Sequence, residues 1–229
     1  MYEDLRWLGL DWQEGPDIGG PFAPYSQSQR REFYLEAWRQ LRDAGTIYPC
    51  TCSRKDLEQV LSAPHDDAHE IHYPGTCRAK SWSQNEFTAP AGVSWRFRVP
   101  DDQPIAFRDA LQGPCTFISG KDFSDFLVWR RDDIPSYQLA CVVDDNAMQI
   151  TQVVRGADLL KSTARQILLY EALGFAAPGW AHCDLVTDAA GVRLAKRHDS
   201  LSLRTLREQG NSPSQVIDSF TKMNPEPLL

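Results

Sequence analysis

The sequence predicts an α/β protein, and three observations support this class. Apolar runs of strand length, rich in Val, Ile and Phe, recur through the second half of the chain. One longer segment among them has apolar residues at helical spacing, and the order strand, helix, strand is typical of a parallel sheet covered by helices. The length of 229 residues suits one large domain, or one domain with an insertion, rather than a multi-domain assembly.

Composition and charge narrow the class further. Hydrophobic residues make up 42% of the chain and charged residues 24%, which excludes a disordered, collagen-like or coiled-coil protein. With 24 Lys and Arg against 31 Asp and Glu, the net charge is −7, which argues against a protein that holds nucleic acid by overall attraction. No run of eighteen apolar residues and no signal peptide occur, so we expect no membrane partner and a cytoplasmic location.

The first 45 residues predict two helices around a loop. Residues 1–12 indicate a short helix, and the Gly and Pro residues between positions 15 and 24 interrupt regular structure. Residues 28–44 predict a longer helix that ends at Gly45. An α/β chain that opens on a helix without a strand has no sheet for that helix to cover. We therefore expect that the first strand–helix unit of the fold is missing.

Three of the six cysteines cluster and predict a metal site. Cys50 and Cys52 lie one residue apart on an extended segment, and the Pro74-Gly75 turn can return Cys77 to them. Spacing leaves four candidates for the fourth ligand: Tyr73, His65, His69 and His72. The competing interpretation is that these cysteines are small buried hydrophobic residues. Four protein ligands would make the site a structural zinc site, since a catalytic zinc keeps an open position.

The remaining elements follow from apolar runs and capping patterns. The predicted strands are Ser94–Val99, Asp125–Trp129, Gln138–Val143, Ile150–Val154 and Ala181–Val186. The predicted helices are a short capped one from Ser53 through Leu61 and a longer one from Leu159 to Leu173 that stops at Gly174. Residues 188–191 predict a turn. The unclustered cysteines are expected in the core: Cys115, Cys141 and Cys183.

Four features near the ends of these elements are candidates for a ligand site, and each has a structural alternative. Tyr137 is either a pocket hydroxyl or a core aromatic, and Asp144-Asp145 is either a magnesium site or a solvated turn. Arg155 follows a strand and precedes a helix, so its guanidinium fork lies where ligands bind in such folds and suits a carboxylate. The fourth feature is either a solvated basic patch or a phosphate clamp: Arg193, Lys196 and Arg197.

Six ordered segments together resemble the glutamyl-tRNA synthetase family. They are Trp7-Leu-Gly-Leu-Asp-Trp12, Tyr25-Ser-Gln-Ser28, Tyr48-Pro-Cys-Thr-Cys52, Tyr73-Pro-Gly-Thr-Cys77, Tyr137-Gln-Leu-Ala-Cys-Val-Val-Asp-Asp145 and Ile150-Thr-Gln-Val-Val-Arg-Gly-Ala-Asp158. Within that family they are most similar to the short branch that acts on the queuosine base of tRNA(Asp). The resemblance covers residues 1 to about 210, and an ordered string of six segments is far more specific than any one of them.

The resemblance implies a fold and a division of the chain. The fold is a class I synthetase core with a Rossmann-like parallel sheet, interrupted by a zinc-binding connective insertion. Residues 1–47 would be the remainder of the first half of the core, and 48–100 the insertion. Residues 101–210 would be the second half of the core with the ATP-phosphate loop, and 211–229 a C-terminal tail.

The resemblance also implies roles for individual residues. It places Tyr137 and Arg155 around the amino-acid substrate glutamate. It assigns structural Zn²⁺ to four ligands: Cys50, Cys52, Tyr73 and Cys77. It aligns Arg193-Leu-Ala-Lys-Arg197 with the Lys-Met-Ser-Lys-Ser signature, so that Lys196 would be the catalytic residue that contacts the phosphates of ATP, bound with Mg²⁺.

The chain departs from the family pattern in two places. Arg193 stands where the signature has its first lysine and Ala195 where it has serine, yet cations remain to stabilise the charge that develops on pyrophosphate. No His-Ile-Gly-His type or Arg-Phe-Ala-Pro-Ser-Pro type segment occurs among the 229 residues. We therefore expect a truncated form of an active enzyme, with an exposed sheet edge beside the missing strand.

The function that the resemblance implies is ATP-dependent activation of glutamate and its transfer to tRNA, most specifically to the queuosine base in the anticodon loop of tRNA(Asp). Two alternatives stay open at the level of the sequence. One is a non-catalytic zinc-containing fragment that binds RNA, and the other is a truncated ordinary glutamyl-tRNA synthetase. The net charge of −7 suits recognition by a local groove, for which Arg130 and Arg131 are further candidates.

Overall fold

The computed structural model describes residues 1–53, 73–83, 86–185 and 202–223. Its helices are α1 (Tyr2–Trp7), α2 (Arg31–Asp43), α3 (Tyr137–Ala147), α4 (Leu160–Leu173), α5 (Leu203–Glu208) and α6 (Pro213–Met223). Its strands are β1 (Ile47–Cys50), β2 (Ser94–Phe97), β3 (Pro104–Asp109), β4 (Gly113–Ile118), β5 (Leu127–Trp129), β6 (Gln152–Gly156) and β7 (Gly179–Cys183). Two short 3₁₀ helices span Gln27–Gln29 and Ala157–Leu159. In these ranges, no helix combines the length and the apolar character needed to cross a membrane.

The strands form two sheets. The first is antiparallel with the order β1-β2-β5, and Ile47 lies opposite Phe97 in its register. All four residues of β1 are buried, so this small sheet packs into the protein rather than facing water on one side. It carries Cys50 at its end and thereby positions the cysteine cluster.

The second sheet is mixed and has the order β4-β3-β7-β6. β7 runs parallel to both β6 and β3, which confirms the predicted parallel strand–helix–strand unit of the second half. β4 pairs antiparallel with β3, so the expectation of a wholly parallel sheet is wrong. A hairpin joins these two strands, and Gly113 takes a φ of +74° at its end, a value that glycine adopts without strain. In the described residues β6 lies at the sheet edge.

Helices α2, α3 and α4 pack against both sheets around one continuous core. Helices α2 and α4 confirm the two longest predicted helices, since apolar side chains at helical spacing point inward from each. Gly174 ends α4 in the left-handed conformation, with φ 68° and ψ 26°. The largest fully buried apolar side chains of this core are Trp38, Trp129, Tyr34, Tyr170, Phe123, Leu41, Leu139 and Leu169.

The segment Gln138–Val143, predicted as a strand, belongs to helix α3. Ser136 caps the helix, because its hydroxyl accepts a hydrogen bond from the Leu139 backbone N–H at 3.4 Å. Leu139, Val142 and Val143 are all buried in the core. A short apolar run that is covered on several sides gives the same pattern in a helix and in a central strand, so its periodicity could not separate the two.

The other predicted strands have shifted bounds. The strand at 94–99 is confirmed as β2, and the one at 125–129 is reduced to β5. The strands predicted at 150–154 and 181–186 are β6 and β7, each displaced by about two residues. The predicted helix from Ser53 through Leu61 and the turn at 188–191 lie outside the described residues.

Asp144 forms a buried ion pair that joins α3 to the start of α2. Its carboxylate accepts hydrogen bonds from Arg30 Nε at 2.7 Å and from the Tyr34 hydroxyl at 2.9 Å to each oxygen. Gln27 adds a third donor at 3.0 Å. Neither interpretation of Asp144-Asp145 as a metal pair or a solvated turn is therefore correct, since Asp145 accepts from Tyr170 in a separate network. The ion pair between Asp144 and Arg30 instead fixes the end of the helix that begins with Tyr137.

Replacing Asp144 with alanine should destabilise the protein by about 3–5 kcal/mol, because the buried Arg30 would lose its counter-charge. Urea unfolding measures this free energy. The matched control is Asp132→Ala, which removes a pair with Arg130 whose carboxylate side chain is 51% exposed and should cost about 1 kcal/mol or less. Equal losses in the two variants would contradict the structural role given to Asp144.

Candidate active site and metal centre

Arg155 lies on β6 near the carboxyl end of the strand, and protein groups hold its guanidinium on three sides. Nε donates to His182 Nε2 at 3.1 Å. Nη2 donates to Thr163 Oγ1 at 2.6 Å and to Gln166 Oε1 at 2.8 Å. Nη1 donates to the Tyr137 hydroxyl at 3.3 Å. The guanidinium plane is therefore fixed, with Nη1 directed toward the first turn of α3.

This arrangement leaves two donors together at the protein surface. Among the described residues, the second N–H of Nη1 has no hydrogen-bond partner. The Tyr137 hydroxyl accepts from Arg155, and its own proton, which is directed to the Cys141 sulfur, can rotate to donate to a ligand. Burial raises the pKa of Tyr137, with Cys141 adding to the effect, so that proton is retained at neutral pH. A carboxylate at this point would accept one hydrogen bond from each residue. The sequence predicted that Arg155 alone would bind both oxygens of a carboxylate. Such bidentate binding would require Arg155 to break its hydrogen bonds to Thr163 and Gln166.

Asp109 and His182 form a buried pair behind Arg155. Both side chains are fully buried, and Asp109 Oδ2 lies 2.6 Å from His182 Nδ1. Asp109 Oδ1 accepts from the backbone N–H groups of Leu111, Gln112 and His182 at 2.9–3.0 Å. Burial opposes ionisation of Asp109, but the hydrogen bonds from His182 and from the backbone outweigh it and lower the pKa of Asp109 to about 2. The carboxylate is therefore ionised at neutral pH.

Asp145 and Tyr170 lie on the helices beside this site. The Tyr170 hydroxyl donates to Asp145 Oδ2 at 3.1 Å. Burial raises the pKa of Asp145, while the hydrogen bond from Tyr170 and the positive charge of Arg155 act in the opposite direction. The guanidinium of Arg155, the carboxylate of Asp145 and the hydroxyl of Tyr170 thus lie near one another in a part of the fold that is otherwise apolar.

The three clustered cysteines and Tyr73 come together between β1 and the segment after residue 72. The sulfur atoms of Cys50, Cys52 and Cys77 all lie within 4.8 Å of one another, and these are the one group of three or more candidate metal ligands in the described residues. Cys52 Sγ is 3.6 Å from Cys77 Sγ, and the Tyr73 hydroxyl is 3.4 Å from Cys50 Sγ. A tetrahedral zinc with bonds of about 2.3 Å holds its sulfur ligands about 3.8 Å apart, so the donor set fits the ion.

The electrostatics of this cluster favour deprotonation of one sulfur, that of Cys77, whereas burial and the hydrogen bond with Cys77 raise the pKa of Cys52 to about 11. Burial alone would raise the pKa of Cys77, but hydrogen bonds from the Thr51 backbone, the Tyr73 hydroxyl and the Cys52 thiol lower it to about 6. Arg96 supplies positive charge, since its Nε lies 3.4 Å from Cys50 Sγ and its guanidinium carbon 3.8 Å from the centre of the Tyr73 ring. A positive charge therefore lies beside the sulfur atoms that would bind a metal as thiolates.

The structure brings together some of the predicted residues. Tyr137 and Arg155 are in contact, although Tyr137 opens a helix rather than a strand. The four predicted metal ligands form one cluster. The basic cluster lies outside the described residues, so the structure places none of its three members: Arg193, Lys196 and Arg197.

No sequence motif selects Asp109, His182, Thr163 or Gln166. Each of the four is a polar residue in or beside an apolar segment, and this position indicates a buried polar contact. That signal is weak because a buried polar residue has a partner that sequence cannot identify when the two lie 73 positions apart, as Asp109 and His182 do.

The chain is similar to known proteins over nearly its whole length. Residues 1–227 match the family described as tRNA synthetases class I (E and Q), catalytic domain. The chain is 47% identical over 233 residues to the glutamyl-Q tRNA(Asp) synthetase of Symbiobacterium thermophilum, covering 98% of the chain and 72% of that relative. It is 49% identical over 225 residues to the protein of the same name from Nitratidesulfovibrio vulgaris, covering 96% of the chain and 68% of that relative.

A solved structure is similar as well. The glutamate-tRNA synthetase of Elizabethkingia anophelis superposes with a TM-score of 0.72 at 30% sequence identity. The match covers 87% of this chain and 42% of that one, so the chain spans less than half the length of the solved protein.

Proposed function

Because the chain belongs to the class I tRNA synthetases (E and Q), catalytic domain family, we propose that it activates glutamate with ATP and transfers it to tRNA. The observation that carries this proposal is the convergence of the Arg155 Nη1–H and the Tyr137 hydroxyl at one exposed corner of a buried polar network. One cationic and one neutral donor at that corner suit a carboxylate, which glutamate supplies.

The loop that we propose to bind ATP, residues 193–197, lies outside the described residues. Lys196 would be the catalytic residue that binds the phosphates of ATP, with Mg²⁺ bound to the nucleotide. A cation at this point stabilises the negative charge that develops on the departing pyrophosphate. The division of the chain into 1–47, 48–100, 101–210 and 211–229 is part of the same proposal.

For the acceptor we propose the queuosine base of tRNA(Asp). Support comes from the order of similarity among relatives. The two glutamyl-Q tRNA(Asp) synthetases are 47% and 49% identical to the chain, whereas the glutamate–tRNA ligases of Nitrosococcus oceani and a Sulfurihydrogenibium species are 40% and 39% identical. A chain of net charge −7 would hold the RNA through local basic groups rather than overall attraction.

We also propose that Cys50, Cys52, Tyr73 and Cys77 bind a structural Zn²⁺. The ion would neutralise the thiolates and tie the segment that contains Tyr73 and Cys77 to the end of β1. Four protein ligands leave no open position, so the metal would take no part in the chemistry. A reducing cytoplasm keeps such thiols available, and we place the protein there.

The acceptor is tested by measuring the attachment of labelled glutamate to tRNA(Asp) with queuosine and to the same tRNA without it. We expect ATP-dependent labelling of the queuosine-containing RNA alone. The 229-residue chain and a version extended upstream in the same reading frame are assayed side by side. Equal labelling of both RNAs, or labelling of tRNA(Glu), would indicate an ordinary glutamyl-tRNA synthetase. RNA binding without labelling in either version would favour the non-catalytic alternative.

The glutamate site is tested with Arg155→Lys. An ammonium cannot reproduce the bonds of the guanidinium to His182, Tyr137 and Thr163, and losing a hydrogen bond to a charged group costs about 1.5–3 kcal/mol. We therefore expect glutamate affinity, measured by calorimetry, to fall roughly ten- to hundredfold. The matched control is Arg108→Lys on β3, whose side chain is exposed. Unchanged glutamate affinity in Arg155→Lys would show that the pocket lies elsewhere.

The metal site is tested with Cys52→Ser. We expect the wild-type protein to contain about one zinc per chain and the variant to lose it, because a serine hydroxyl is a poor replacement for a thiolate. Elemental analysis of freshly purified protein measures the content, and circular dichroism checks that the sheets persist. Cys115→Ser, outside the cluster, is the control and should keep the metal. Wild-type protein without zinc would end this part of the proposal.

A further inference from the structure

We propose that Asp109 and His182 are positioning residues that fix the orientation of Arg155 for glutamate binding. This inference rests on the proposed role of Arg155 and goes beyond it, since neither residue reaches the surface. Without this role, Asp109 and His182 would only satisfy each other's hydrogen bonds in the core.

The three side chains lie on three adjacent parallel strands. Arg155 on β6 is directly opposite His182 on β7, so both side chains project from the same face of the sheet. Asp109 ends β3, on the other side of β7, and is in register with Trp180. Carboxylate, imidazole and guanidinium therefore form a row across the sheet, and the row ends at Tyr137 on the exposed side.

The contacts of the imidazole ring assign the position of its proton. The Asp109 carboxylate is an acceptor, so the His182 Nδ1 that faces Oδ2 at 2.6 Å carries the imidazole proton. In the neutral ring Nε2 is then left with a lone pair, which accepts from Arg155 Nε at 3.1 Å. The Thr163 hydroxyl is compatible with this state, because its one proton can be donated either to Nε2 at 3.0 Å or to the Leu159 carbonyl oxygen at 3.3 Å. Asp109 thus determines that the ring presents an acceptor to Arg155.

The acceptor matters because of what it fixes in Arg155. The bond to Nε anchors the guanidinium at its inner end, and the bonds of Nη2 to Thr163 and Gln166 fix its rotation. With those N–H groups engaged, only Nη1 faces outward toward Tyr137. The His182 side chain is fully buried, so bulk water does not reach Arg155 Nε in the intact protein, and a change in the protonation of the ring leaves this donor without an acceptor.

Nuclear magnetic resonance tests the proton arrangement directly. In ¹⁵N-labelled wild-type protein we expect the long-range imidazole spectrum of His182 to show a proton on Nδ1 and none on Nε2. The signal is identified by its loss in a His182 variant, since the chain has five histidines. In Asp109→Asn, the new amide can donate to Nδ1, and we expect the proton to move to Nε2. A wild-type ring protonated on Nε2, or no change in Asp109→Asn, would overturn the proposal.

A matched pair of His182 variants tests the effect on substrate. Gln can place its carbonyl oxygen near the position of Nε2, whereas the shorter Asn can contact Asp109 and leaves Arg155 Nε without an acceptor. We expect His182→Asn to weaken glutamate binding roughly tenfold or more, and His182→Gln to restore most of it, to within about threefold. The affinity for ATP should be the same in both.

A purely structural role would give a different result. Both variants would then unfold at a lower urea concentration than wild type while their glutamate affinity stayed unchanged, and that outcome would overturn the proposal. Should Asp109→Asn fail to fold, the wild-type spectrum and the His182 pair still decide the question. Wild-type protein that binds no glutamate, both as the 229-residue chain and in the version extended upstream, overturns the proposed function together with this inference. Normal wild-type binding with no loss in His182→Asn overturns this inference alone.

Discussion

The buried contact between Asp109 and His182 is the constraint on which the geometry of the site depends. A fully buried carboxylate is stable only when hydrogen bonds replace the water it has lost, and Asp109 receives one from the imidazole and three from backbone N–H groups. Those donors come from the turn between β3 and β4 and from β7, so the charge ties this turn and β3 to β7. The same imidazole contacts Arg155 on β6, which connects the interior of the sheet to the proposed substrate corner.

Other polar contacts hold the remaining parts of the site in the same way. Asp144 joins α3 to Arg30 and Tyr34 and thereby fixes the helix whose first residue is Tyr137. In the three-stranded sheet, Arg96 contacts Cys50 and lies over the ring of Tyr73. Each network is made of a charged group that few or no water molecules reach. Such groups tolerate little displacement, so the helices and strands that carry them have well-defined positions.

The sequence predicted those parts of the fold and site that depend on local pattern. Helix α4 followed from its apolar spacing and from Gly174 at its end, and Arg155 from its place between a strand and a helix. The thiol cluster followed from the spacing of Cys50 and Cys52 with a turn before Cys77. Helix α3 was predicted wrongly because Leu139 to Val143 is apolar without interruption, and burial on several sides removes the periodicity that distinguishes a helix.

By itself the sequence determined the α/β class, the family resemblance, the cysteine cluster and, through that resemblance, Tyr137 and Arg155 as candidates for one site. Each of these depends on residues close in the chain or on an ordered string of segments. Only the tertiary structure decided the mixed sheet, the ion pair of Asp144 and the row from Asp109 through His182 to Arg155. These contacts join residues that are far apart in sequence. A buried polar side chain must be satisfied, but which distant group satisfies it depends on strand order and register.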